Sequence, residues 1–121
     1  MTPSTSGTSE GTGPKALDAA VLRIRNAQGE PVGLGFLVTT ELALTCAHVV
    51  SAGLGTSEAP AASARLHVDL PLLSASGQSG QGVKAGVEHW VPAQPSGAGD
   101  VAVLRLSAPL PGGRPIRLVA A

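Results

Sequence analysis

Cysteine, aromatic residues, an excess of either charge and long apolar runs are all scarce in this chain. Cys46 is its single cysteine, tyrosine is absent, and Phe36 and Trp90 are its only aromatics. One thiol cannot close an intrachain disulfide, and it supplies neither a disulfide framework nor a four-cysteine zinc site. Reducing surroundings suit such a chain. Acidic and basic residues number eight each, with no basic run to neutralise phosphates or anionic lipid, so neither nucleic acid nor a membrane surface is an expected partner. No apolar run approaches the roughly 18 residues of a spanning helix. Residues 1–16 are mostly Ser, Thr, Gly and Pro and lack the charged start and hydrophobic centre of a secretory signal. They read as a disordered leader, and the expected location is cytoplasmic.

What remains is enough for one small core: 121 residues, 43% of them apolar. Past Ala16 the hydrophobic period is two, in short segments separated by Gly, Pro and Ser, which is the pattern of an all-β domain over residues 17–121. Six strands are expected. The first runs from Ala19 to Asn26, with Ala20, Leu22 and Ile24 on one face and Val21, Arg23 and Arg25 on the other. Gly33 to Thr39 and Leu42 to Cys46 form a hairpin about Thr40 and Glu41. A Gly, Ala and Ser-rich loop spans Gly53 to Ser63. Arg65 to Leu70 then sets Leu66, Val68 and Leu70 against Arg65, His67 and Asp69. Gly82 to Val91 and Asp100 to Leu106 complete the set. Six antiparallel strands close into a barrel, which removes the edges that otherwise promote aggregation. No segment repeats at a fixed period, so a solenoid is not expected.

Two segments carry chemistry. Leu44-Thr45-Cys46-Ala47-His48-Val49-Val50 holds a histidine, and Gly99-Asp100-Val101-Ala102-Val103-Leu104 holds a carboxylate at the mouth of an apolar strand. An imidazole acts as general base on a serine when a carboxylate fixes its tautomer and stabilises its cation. Taken singly, His48 reads as well as a core or loop histidine, and Asp100 as a turn carboxylate after Gly97-Ala98-Gly99. Taken together, and with Gly33-Leu34-Gly35-Phe36-Leu37-Val38 ahead of the histidine, the chain resembles the bacterial, non-zymogen trypsin-like serine peptidases of the chymotrypsin class, from about Ala19 to Leu118.

That resemblance implies a six-stranded antiparallel Greek-key barrel, the first of two, with His48 and Asp100 emerging at one rim as two members of a Ser-His-Asp triad. It implies peptide-bond hydrolysis of a peptide or protein substrate without cofactor. The serine would follow the aspartate from a second barrel or fused domain, so these 121 residues alone are expected to be inert. Gly77-Gln78-Ser79-Gly80 mimics a nucleophile turn but precedes Asp100, and reads as a flexible loop. The chain also departs from the secreted animal enzymes. Cys46 precedes His48, no second cysteine bridges it, and Ala20-Val21-Leu22-Arg23-Ile24 stands where an activation sequence would be. A non-catalytic barrel that binds or regulates a partner, and a truncated remnant, are the alternatives.

Cys46, two residues before His48 on the same strand, is expected to point away from the ring and to pack as a small buried residue. Cys46, His48, His67, Glu88, His89 and Asp100 match no zinc-ligand spacing, so no metal is expected. His67 and His89 read as solvent-facing or rim residues. Trp90 reads as a packing anchor at the end of the fifth strand.

Overall fold

Along the chain run β1 (Val21–Arg25), β2 (Pro31–Leu37), β3 (Leu42–Thr45), α1 (Ala47–Leu54), β4 (Leu66–Asp69), β5 (Val83–Val91) and β6 (Val101–Leu106). The computed structural model describes residues 17–72 and 82–116. The leader assigned to residues 1–16 and the loop assigned to Ser79 lie outside the described residues. Every strand pair is antiparallel, and the sheet closes on itself in the order β1-β2-β3-β6-β5-β4. Strands β1 to β3 follow one another as neighbours and β4 returns beside β1, which is the Greek-key connection.

The alternation in the sequence becomes the inside and outside of the barrel. Leu22, Ile24, Leu66, Val68, Ala102, Leu104 and Leu106 point inward and are buried, together with Leu37, Ala43 and Ala85. Each buried Leu or Ile contributes about 1.5–3 kcal/mol over an exposed one, which must offset the entropy of ordering the chain. Strand limits differ from expectation by a few residues, most at β2, which starts at Pro31 and stops at Leu37. The hairpin that follows is closed by Thr39, whose Oγ1 accepts from the amides of Glu41 and Leu42. Beyond β6 the chain stays on the barrel: the amides of Arg114 and Ile116 donate to the carbonyls of Ala19 and Leu37.

One element is a correction. The His48 segment does not prolong β3, and Gly53 does not open a loop; both belong to α1. Eight residues make a marginal helix in isolation, so packing must hold it. Ala47, Val50 and Gly53, three apart, are buried with Val49 against the strands. Gly33 of β2 admits the helix: a Cβ there would stand 2.6 Å from a methyl of Val49. The helix closes at Gly55, whose amide donates to the Ser51 carbonyl at 2.8 Å.

No helix among the described residues is long and apolar enough to cross a membrane. Several large apolar side chains stand on the outside of β2, β3, β5 and β6. Leu34, Phe36, Leu44, Val91 and Val101 are all exposed, and register pairs Phe36 with Leu44 and Val91 with Val101.

Candidate active site

A helix start needs acceptors for its first amides, and Cys46 at the N-cap of α1 makes no side-chain cap bond. The missing acceptor comes from the far side of the sequence. Asp100 Oδ1 accepts from the backbone amide of His48 at 2.9 Å, while Oδ2 meets Nδ1 of the His48 ring at 2.8 Å. One carboxylate therefore holds both the backbone and the ring of the same residue. β6 lies directly beside β3, with Thr45 opposite Ala102, so the residue before β6 arrives at the first turn of α1.

The loop into β6 is shaped for this delivery. Asp100 adopts φ of 61°, the left-handed region that Asp tolerates better than most residues. Gly99 before it has φ of 86°, and a Cβ there would fall 2.2 Å from the Pro92 carbonyl oxygen. Only glycine fits that approach. On the opposite side, the Trp90 indole N–H donates to the Ala47 carbonyl at 3.4 Å, pinning the residue that precedes His48. Trp90 is thus a packing anchor of the helix start as well as of β5. Sequence reading missed that link because it saw no helix for the indole to hold.

The pairing fixes the chemistry of the ring. An ionised carboxylate only accepts, so the proton between the two groups sits on Nδ1, and the lone pair falls on Nε2. His48 is 70% exposed along its side chain, and among the described residues nothing engages Nε2. The hydrogen bonds from the His48 amide and ring hold the Asp100 carboxyl below the usual carboxylate range. A free imidazole nitrogen backed by a fixed anion is equipped to take a proton from an incoming hydroxyl. Asp100 is itself 30% exposed, more open than the buried carboxylate of the triad template.

Of the remaining candidates, His67 and His89 are exposed and lie on β4 and β5 away from this pair, and Glu88 is engaged by Arg105 at 3.0 Å. Cys46 departs from expectation. The turn into α1 brings its sulfur, a ring nitrogen of His48 and an oxygen of Asp100 within 4.8 Å of one another. It does not point away: Cys46 is the N-cap of the helix that holds His48, and the turn between them leaves the sulfur on the side of the ring.

No family model matches the chain, and no curated protein matches it in sequence. Solved structures do. The barrel is similar to Rv3671c of Mycobacterium tuberculosis H37Rv, seen in the inactive form of a serine-to-alanine mutant, with a TM-score of 0.54 and 24% identity over 88% of this chain. It is also similar to neuropsin, a serine protease of the mouse brain, with a TM-score of 0.57 and 16% identity over 86% of this chain. The chain spans 41% and 44% of those two proteins. The fold is a chymotrypsin-like barrel, of the kind found in serine proteases.

Proposed function

We propose that this barrel is the base-bearing half of a trypsin-like serine endopeptidase. His48 takes the proton of a serine hydroxyl through Nε2 and returns it to the leaving amine, and Asp100 orients the ring and stabilises its cation. The observation that carries this reading is the double grip of Asp100 on the His48 amide and Nδ1, which leaves the correct nitrogen facing outward. The chain spans less than half of each of the two proteins its barrel resembles, and on this reading the nucleophile and the oxyanion-hole amides come from a second barrel. Acyl transfer needs both, and the barrel alone is inert.

The apolar strip of Leu34, Phe36 and Leu44 supports the same reading. Exposed neighbouring apolar side chains are a surface meant to be covered, and a second barrel is the occupant that would also bring a serine to Nε2. The test is the native protein from its source, its intact mass measured and a fluorophosphonate probe applied. A species heavier than these 121 residues and labelled at serine is expected. A native chain that carries no activated serine would instead make this a barrel for binding.

A further inference from the structure

Cys46, His48 and Asp100 form a cluster whose consequences extend past proton transfer. We propose that it is a metal site: the Cys46 thiolate, a His48 ring nitrogen and an Asp100 carboxylate oxygen capture one zinc ion at the mouth of the barrel. Nothing in sequence spacing groups these three. The turn into α1 brings Cys46 to the ring, and the β3-β6 pairing brings Asp100 to it. Sulfur, imidazole nitrogen and carboxylate oxygen are the three donors zinc combines, and the thiolate excludes magnesium and calcium, which take oxygen.

The geometry is close to what the ion requires. Three donor atoms around one zinc at about 2.0–2.3 Å stand roughly 3–4 Å apart. The Asp100 oxygen and Nδ1 are 2.8 Å apart, and all three donors fall within 4.8 Å. Closing the set takes a side-chain rotation of Cys46 and a small opening of the His48-Asp100 contact. Access is from solvent, since the imidazole is exposed, and water completes a four-coordinate ion.

The proton balance is definite. Cys46 gives up its thiol proton to solvent as sulfur binds. If Nδ1 is the ligand, its proton moves to Nε2; if Nε2 is the ligand, its lone pair is occupied directly. Either way Nε2 can no longer accept a proton, and one proton is released per ion bound. On the peptidase reading, zinc is therefore a reversible off-state of the base; the site itself does not depend on that reading.

Cobalt(II) is the probe, because a thiolate-cobalt bond gives a near-ultraviolet charge-transfer band and tetrahedral cobalt gives visible bands. Titrated into the 121-residue chain, cobalt is expected to saturate at one equivalent, to quench the single tryptophan, Trp90, and to be displaced by zinc with loss of colour. Cys46→Ser should abolish the charge-transfer band, and Asp100→Asn and His48→Ala should each weaken binding at least tenfold. Circular dichroism checks that each variant retains the barrel. No saturable cobalt spectrum on the wild-type chain, or a charge-transfer band that survives Cys46→Ser, overturns the site. A cobalt spectrum without serine labelling in the native protein would leave the metal site standing and remove the peptidase.

Discussion

Two carboxylates sit beside strand ends of this barrel, and each is held by two hydrogen bonds or more, yet they are built for opposite ends. Asp69, on β4, is buried, with Nε and Nη2 of Arg23 at 3.0 and 2.8 Å and Nε of Arg25 at 3.4 Å. Asp100, before β6, is partly open and faces one imidazole. Burial alone would raise the Asp69 pKa, but the hydrogen bonds and charge of Arg23, then Arg25, outweigh it and hold the carboxyl below its ordinary range. Guanidinium never releases its proton in this setting. The Asp69 cluster is therefore a fixed clasp between β1 and β4. The Asp100 pair ends in an imidazole, whose second nitrogen is an acceptor as well as a possible donor and faces outward, 70% of the side chain being exposed. The difference between clasp and site lies in the partner's chemistry more than in the carboxylate.

Exchanging the two kinds of carboxylate for amides should separate them most. In a serine-bearing form of the protein, Asp100→Asn should lower turnover about 10⁴-fold with the fold intact. Asn keeps an oxygen for the His48 amide and tolerates positive φ, but its NH₂ faces Nδ1 and drives the proton onto Nε2. Steady-state kinetics and circular dichroism read this, and a loss under tenfold would reject the triad assignment. Asp69→Asn should do the reverse. It removes the anion that Arg23 and Arg25 share and is expected to cost about 2–3 kcal/mol, less than a fully buried pair because the arginines are partly solvated, with serine labelling unchanged.

Gly99→Ala tests whether the delivery of Asp100 depends on backbone shape. A methyl at positive φ and 2.2 Å from the Pro92 carbonyl should cost about 1–3 kcal/mol in urea unfolding and weaken the His48 contact. Substitution without loss of either would show that the loop adapts. The smallest effect is on acid stability. Both carboxyls have folded pKa values below their unfolded ones, so the stability each contributes is complete above the ordinary Asp range, near pH 4, and is lost as pH falls through the folded value. Urea midpoints measured from pH 5 downward should fall less steeply for Asp69→Asn than for the wild type.

Much of the fold was legible because one signal repeats. Alternation assigned Leu22 and Ile24, Leu66 and Val68, and Ala102, Leu104 and Leu106 to the interior, and all are buried. It failed where burial comes from pairing instead of hydrophobicity: Asp69 was placed on the polar face, and it lies there, but Arg23 and Arg25 cover it. Helix α1 was illegible for a related reason. Val49 and Val50 favour strand locally, Cys46 is a poor cap, and the group that satisfies the first turn lies 52 residues away.

The candidate pair divides in the same way. The sequence by itself determined that His48 follows a strand, that Asp100 opens one, and that a single cysteine precedes the histidine, since side-chain identity and period two are local properties. Only the tertiary structure decided that β6 lies against β3, that Asp100 caps α1 while holding Nδ1, and that Cys46 joins them. Those contacts depend on barrel closure, which sets distances between residues far apart in the chain and which no local preference encodes.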